Sequence, residues 1–377
     1  MLLGFGAKNF FCFKEWFEVS LEFNGKVPFD VTKGETVAKT SCFIGANAAG
    51  KTNALKILSF LSYFYSDSFS SLKPGAPIPF HRYFSNPEPA EFFVDFRIDG
   101  IEYTLELVAD EAHVITEKLY RKLQRKVVVL QREGDSIVKD TFTKGLDFPL
   151  RDNCSFLSTA YHHEVEKLEP IHEFFQLVKS NVVFSGLGDF QAPETVAEAY
   201  NSERDALEFA QYWLQRFDTG IVDLEISLHT DPKGDHFYFP RFVHQTADGT
   251  HIVPWHFESN GTKQLFKILY FFHRTLQQGG VLCLDEFDMN LHPEILPWLV
   301  ELFTSPDSNP HGAQFIFSTH NMSILDVMGK FRTFIVNKED NEAYCYRLDE
   351  LSPSMVRVDR PILPLYKAHR LGGYPRI

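Results

Sequence analysis

Hydrophobic and polar positions alternate along the first residues of the chain. Phe17, Val19, Leu21 and Phe23 fall on one face, the period-two pattern of paired strands, and Gly25 turns the chain. Ser41-Cys42-Phe43-Ile44 then reads as a short buried strand. After it Ala54, Ile57, Leu58, Leu61 and Tyr65 recur at helical spacing. The stretch 66–90, with serines from Ser66 to Ser71 and five prolines beyond, predicts a loop rather than a helix. Alternation resumes at Phe92, Val94, Phe96 and Ile98, turns at Asp99-Gly100 and continues through Tyr103, Leu105 and Leu107. An Asp-Gly pair between two alternating runs predicts a two-residue hairpin. The ribbon is expected to continue around 117–119 and 127–130.

Residues 155–215 read as helical, with Phe209, Trp213, Leu214 and Phe217 on one stripe and interruptions at Pro170, Gly186-Leu187-Gly188 and Pro193. No sustained heptads point to a long coiled coil. Strands return over 221–257, with turns at Pro232-Lys233-Gly234 and Asp248-Gly249. In the last third, Leu265, Ile268, Leu269 and Phe272 mark a helix closed by Gly279-Gly280. The unbroken run Val281-Leu282-Cys283-Leu284 predicts a strand buried on both faces. A helix with Pro293 at its opening, a strand at Gln314-Phe315-Ile316-Phe317 and another over 333–336 follow. Alternating β and α elements predict an α/β fold with a mainly parallel core sheet, an antiparallel β subdomain and a short helical insertion. The expected divisions are an N-terminal lobe over 1–150, a helical cap or partner surface over 151–220, and a C-terminal lobe over 221–377.

The chain has 377 residues, 44% hydrophobic, enough for a large core. Its formal net charge of −13 argues against a general polyanion-binding surface. Five scattered cysteines with no C-x-x-C pair read as reduced thiols, which predicts a cytoplasmic protein. No apolar run approaches a membrane span, so no membrane partner is expected.

Gly45-Ala46-Asn47-Ala48-Ala49-Gly50-Lys51-Thr52 fits the phosphate-loop pattern G-x-x-x-x-G-K-[ST], between a strand and a helix as that pattern requires. The glycines let the loop turn its N–H groups, those of Ala48 and Ala49 among them, toward phosphate oxygens at a helix N-terminus. Lys51 would reach the phosphates and the Thr52 hydroxyl would ligate Mg²⁺. Three further groups follow. Asp285-Glu286 ends the apolar strand: Asp285 is placed to hold Mg²⁺ opposite Thr52, and Glu286 to polarise an attacking water. His320 ends the next strand and would bond the γ-phosphate. Ser259, Gly261 and Thr262 open the Leu265 helix, where they suit either an anion nest or a plain N-cap.

This order of motifs resembles the ATP-binding-cassette heads of the SMC/RecF/OLD type. Gly45–Thr52, Ser259-Asn260-Gly261, Asp285-Glu286 and His320 stand where that group has its phosphate loop, signature, acidic strand and switch histidine. Asn9-Phe10-Phe11-Cys12-Phe13-Lys14 is similar to the start motif of the group, Leu291-His292-Pro293 to its D-loop, and Arg370-Leu371-Gly372-Gly373 to its terminal motif; Asn47 and Asn53 also match. In layout the chain looks like the compact RloA-like ATPases, related to ATPase components of the PARIS and Septu anti-phage systems. The resemblance implies ATP and Mg²⁺ as cofactors and an ABC-type P-loop ATPase. Nucleotide contacts would come from Gly45, Asn47, Ala48, Ala49, Gly50, Lys51, Thr52, Asn53, Ser259, Gly261 and Thr262, with Glu286 and His320 catalytic. It further implies a head-to-tail homo-oligomer, because the signature of one head serves the γ-phosphate held by another.

Two features depart from the group. No glutamine stands out as a Q-loop residue, the nearest stretch being Phe80-His81, and no coiled-coil insertion is present. The resemblance implies an ATP-hydrolysing sensor or scaffold that controls a partner effector, a nuclease encoded nearby, in response to nucleic acid or a phage protein. The alternative is a RecF-like repair ATPase that binds DNA ends or gaps. For that reading the basic stretch Lys118, Arg121, Lys122, Arg125, Lys126 and Arg132 offers either a nucleic-acid contact or a solvated strand face.

Overall fold

The computed structural model describes residues 1–374 except positions 26, 144, 146, 147, 189, 190, 218, 219, 232, 353 and 359. Pro232, in one of the expected turns, therefore lies outside the described residues. The first part of the chain forms β1 (Leu2–Lys8), β2 (Phe17–Ser20), α1 (Phe29–Thr32), β3 (Thr40–Ile44) and α2 (Lys51–Ser71). An antiparallel run follows: β4 (Ala90–Ile98), β5 (Ile101–Ala109), β6 (Val114–Lys122), β7 (Lys126–Glu133) and β8 (Ser136–Asp140). The middle holds α3 (Phe156–His162), α4 (Glu169–Gln176), β9 (Val178–Ser180), β10 (Val182–Val183), β11 (Gly186–Leu187), α5 (Pro193–Ser202) and α6 (Arg204–Phe217). Next come β12 (Ile221–Thr230), β13 (His236–Thr246), β14 (Gly249–Pro254), α7 (Asn260–Gln278) and β15 (Val281–Leu284). The last elements are α8 (Leu296–Thr304), β16 (Gln314–Ser318), α9 (Ile324–Met328), β17 (Thr333–Glu339), β18 (Glu342–Arg347) and α10 (Leu363–Lys367).

The core sheet has the order β18-β17-β3-β16-β15-β9, parallel throughout except at β18. Its strands read as unbroken apolar runs because each faces a different core on either side. Phe43, Cys283, Ile316 and Phe334 join α2 and the antiparallel sheet in one cluster. Their neighbours Cys42, Leu282, Leu284, Phe315, Phe317 and Ile335 join α7 and α8 in another. The strand that leads into the phosphate loop thus sits mid-sheet, buried on both faces.

The seven-stranded antiparallel sheet runs β2-β1-β4-β5-β6-β7-β8. Asp99 (φ 48°) and Gly100 (φ 76°) make the β4–β5 turn with both residues left-handed, as a hairpin that twists with its strands requires. A three-stranded sheet, β12-β13-β14, packs beside α5 and α6.

Two expectations from the sequence fail here. Helix α2 continues through Ser71 into the stretch expected to be a loop. Ser66 bonds back to the Ser62 carbonyl at 2.7 Å, and the buried Ser68 hydroxyl accepts from the Ser155 N–H at 3.0 Å. These serines spend their hydroxyls on helix and neighbour, so tertiary contacts override weak propensity. The region 155–215 is also not wholly helical. Its strand β9 forms the edge of the core sheet, with Val178 opposite Val281. Three residues are too few for an alternation to register in the sequence. Among the described residues no helix is long and apolar enough to cross a membrane.

Candidate nucleotide-binding site

The phosphate loop leaves β3 at Gly45 and enters α2 at Lys51. Gly45 has no room for a side chain, since a Cβ would stand 2.3 Å from the Val336 carbonyl of β17. Gly50 takes φ +117° and Ala48 φ +60°, the left-handed turns that curl the loop backbone over the helix start. Lys51 is 6% exposed and folds back to donate to the Gly45 and Ala46 carbonyls at 2.9 and 3.1 Å. Burial holds its pKa down, against the pull of Asp285, Glu286 and Asp288.

The acids meet this loop from the next strand but one. The Thr52 hydroxyl donates to Asp285 Oδ2 at 2.7 Å, and the Ser318 hydroxyl donates to Asp285 Oδ1. Ser318 Oγ also accepts from the Glu286 N–H at 2.9 Å. Glu286 itself takes φ 48°, a strained position for a side-chain-bearing residue. Its carboxylate lies 3.5 Å from His320 Nε2, both side chains about two-fifths exposed. A cleft of about 630 Å³ is lined by Cys12, Asn47, Ala48, Gly50, Lys51, Thr52, Asn53, Glu286, His320 and Lys338. The structure therefore gathers Asn47, Ala48, Gly50, Lys51, Thr52, Glu286 and His320 around one opening, with the buried Asp285 behind it and bonded to Thr52. Ala49 is buried under the loop. Asn53 turns its amide onto Cys12 Sγ at 3.1 Å, tying α2 to the start motif.

The signature residues do not line that cleft. Ser259 caps α7, its hydroxyl accepting from the Thr262 N–H at 3.0 Å, while Glu258 accepts from the Ser259 N–H at 2.9 Å. His244 of β13 grips the same Glu258 carboxylate. A Cβ on Gly261 would stand 2.9 Å from the Asn290 carbonyl, so glycine lets α7 start against the D-loop. Thr262 departs from its expected place among the nucleotide contacts. It is 1% exposed with its hydroxyl on Ser259 Oγ, because the first turn of α7 uses it as a packing residue.

Other expected residues find places too. Gly373 donates to Asn337 of β17 at 2.6 Å, and a Cβ there would sit 3.5 Å from the Gly45 Cα, so the terminal motif braces the phosphate loop. Leu291 is buried and His292 Nδ1 accepts from the Glu294 N–H, opening the turn that leads to α8. Phe80 is buried among Phe10, Phe60 and Phe92, so the Phe80-His81 stretch supplies no polar group to the cleft.

The structure adds two residues. Asn181, at the end of β9, brackets the Asp285 peptide: its amide donates to the Asp285 carbonyl at 2.9 Å and accepts from the Asp285 N–H at 2.7 Å. Lys338 lines the cleft from β17. Neither had a sequence signal, Asn181 because β9 is so short and Lys338 because it looks like any exposed strand lysine.

Three residues of the basic stretch have acidic partners. Lys122 bonds Glu102 at 2.6 Å and Lys126 stands 3.9 Å from Glu106. Arg132 is fully buried against Glu117, donating to the Gly134 and Arg151 carbonyls at 2.6 Å.

Oxygen donors only 2.7 Å apart on Thr52 and Asp285 suit a hard divalent cation. Among the described residues no cluster of three His, Cys, Asp or Glu forms an all-protein metal cage. Mg²⁺ commonly keeps one or two protein ligands and takes the rest from water and phosphate.

A family model described as "AAA domain, putative AbiEii toxin, Type IV TA system" matches residues 41–326, from β3 to α9. No curated protein matches the chain. Among solved structures, the SMC head domain from Thermotoga maritima shares 13% identity, covering 92% of this chain and 98% of that one, with a TM-score of 0.47. An SMC head bound to the C-winged helix domain of ScpA shares 14% identity over 93% of this chain and 99% of that one, at a TM-score of 0.50. At such identities the likeness is one of fold: the mixed α/β architecture of a P-loop ATPase head.

Proposed function

The chain belongs to this AAA domain family and has the P-loop ATPase fold, and from that premise we propose that it is an ATP-hydrolysing, head-to-tail dimerising subunit of an anti-phage defence system. The observation that carries the reading is the meeting of Thr52, Asp285, Glu286 and His320 at one cleft, with Ser259 and Gly261 elsewhere on the surface. A second copy, turned head-to-tail, would bring its Ser259 and the N–H groups that start α7 to the mouth of this cleft. ATP would lie along the backbone of residues 45–52, with Lys51 turning from the loop carbonyls to the phosphates. Thr52 and Asp285 would hold Mg²⁺, which when bound neutralises phosphate charge and fixes phosphate geometry. Glu286 is exposed enough to orient a water and take its proton on a carboxylate oxygen, while His320 donates toward the terminal phosphate.

The finer assignment is to the RloA-like branch, akin to the ATPases of PARIS and Septu. On this reading ATP-driven closure holds and releases an effector, a nuclease, with the helices of the middle segment as its docking face. The description of the family, with its toxin and toxin–antitoxin terms, supports a defence setting. The SMC head bound to the C-winged helix domain of ScpA is an analogue for a partner-bound head. The paired lysines of β6 and β7 and the net charge of −13 give no support to direct DNA binding. The test is to purify the chain together with its genomic neighbours and to assay nuclease activity with and without ATP. An assembly carrying a nuclease whose activity responds to ATP is expected. A chain that ignores its neighbours yet binds duplex DNA in an ATP-dependent, salt-sensitive way would replace this reading with the repair one.

A further inference from the structure

A second cavity, of about 290 Å³, lies along α2 beyond the phosphate loop. Its walls are aromatic and aliphatic: Phe11, Phe60, Tyr63, Leu72, Val182 and Phe184. One charged group enters this lining, Lys56, one helical turn past Thr52. Lys56 is 9% exposed, and its Nζ stands 4.0 Å from the centroid of the Phe11 ring. Among the described residues it makes no hydrogen bond and no ion pair. Burial holds its pKa down, with Cys12 and Asp285 acting in the other direction.

An ammonium group largely shielded from water without a counter-ion is held at a cost, and one aromatic face offsets only part of it. The surroundings are nonetheless built to keep the space open. Ser59 donates to the Val182 carbonyl at 2.5 Å and pins the β10–β11 hairpin over α2. Phe11, held at φ 48°, leans on His81 and Phe184 at ring separations of 5.8 and 6.1 Å. Val183 and Phe184, nearly half exposed, reach solvent from the hairpin. A cavity of this volume stands at the small end of ligand pockets, with room for one or two fused rings.

We propose that this cavity is a binding site for a small aromatic monoanion, its acid group on Lys56 Nζ and its rings against Phe60, Tyr63 and Phe184. The site is separate from the nucleotide cleft, although both share α2, and Val182 directly follows the Asn181 that brackets Asp285. The aromatic walls select a flat body, and the lone cation selects a single negative charge over a neutral or a doubly charged group.

The experiment is isothermal titration calorimetry of the full chain with 2-naphthalenesulfonate, and with the neutral 2-naphthalenesulfonamide as its charge-free counterpart. The sulfonate is expected to bind once per chain, and the sulfonamide about tenfold or more weakly, the range a charge-assisted hydrogen bond carries. Lys56→Met should lower sulfonate affinity to the sulfonamide's level, and Lys56→Arg should largely retain it. Val183→Trp, at an exposed hairpin position, should weaken both probes by closing the mouth while leaving the melting temperature near wild type. The proposal fails if 2-naphthalenesulfonate shows no binding at millimolar concentration, if both probes bind alike, or if Lys56→Met leaves sulfonate affinity unchanged. Displacement of the sulfonate by adenosine would also overturn it, since the cavity would then belong to the nucleotide base.

Discussion

Replacing Asn181 by leucine removes the bracket around Asp285 with little change in side-chain size. Asn181 is 6% exposed, and its two bonds to the Asp285 peptide, at 2.9 and 2.7 Å, leave no obvious route for water. Each such bond contributes about 0.5–1.5 kcal/mol net, and a buried peptide group left unpaired costs about 1–3 kcal/mol. The expected loss of stability is therefore about 2–4 kcal/mol, read from equilibrium urea denaturation. The functional consequence follows from the neighbouring contact, because the same Asp285 accepts from Thr52 at 2.7 Å. A shift of about 1 Å at a positioned group can cost on the order of a hundredfold in rate. Asn181→Leu should thus reduce ATP turnover by about tenfold to a hundredfold and raise the Mg²⁺ concentration needed for half-maximal turnover. Asn181→Asp keeps the acceptor but turns a carboxylate oxygen toward the Asp285 carbonyl, so it should fare no better. A leucine variant that loses stability yet keeps wild-type turnover and Mg²⁺ dependence would refute the reasoning, leaving Asn181 a purely structural residue.

Three other outcomes are expected. Lys51→Ala should abolish ATP binding measured by calorimetry while leaving the fold intact, since among the described residues Lys51 hydrogen-bonds to loop carbonyls alone. Arg132→Met should destabilise the chain by about 3–5 kcal/mol in denaturation, because it strands the fully buried Glu117, whereas the double change Arg132→Met with Glu117→Leu should recover only the part due to the stranded carboxylate, since the Gly134, Cys154 and Arg151 carbonyls and the Phe156 N–H stay unpaired. His172 and His273 are buried, with pKa values held below the usual 6.5 by desolvation, so the fold takes up protons there less readily than the unfolded chain. The stability they contribute is complete above pH 6.5 and is lost as pH falls below it. Melting temperature should drop toward about pH 5, and His172→Gln should shallow that decline.

Much of the fold was legible because its signals are local or periodic. Asp99-Gly100 dictates its hairpin through two left-handed residues, and the unbroken run of 281–284 shows two-sided burial on its face. The phosphate loop was legible from its spacing alone, although only Gly50 is required by its own left-handed backbone, Gly45 being required by the Val336 carbonyl of distant β17. What escaped the sequence was set by distant partners. Helix α2 gains its last turn because Ser68 finds Ser155, eighty-seven positions away. Thr262 faces inward although Ser259 beside it is exposed, a choice made by the packing of α7 rather than by the motif. Asn181 acquires its place only when β9 lines up with β15, and no pattern in three residues announces that. Arg132 read as part of a basic face until Glu117, on the adjoining strand, proved to be its buried partner.

The central claim is that two chains close around ATP and that Glu286 turns it over. Its most direct test is the mass in solution of Glu286→Gln, with and without ATP and Mg²⁺, beside a turnover assay. Glu286→Gln is expected to lack turnover and to shift to a dimer, or a multiple of one, on adding ATP. A Glu286→Gln chain that hydrolyses ATP at the wild-type rate, or whose mass ATP leaves unchanged, would contradict that claim.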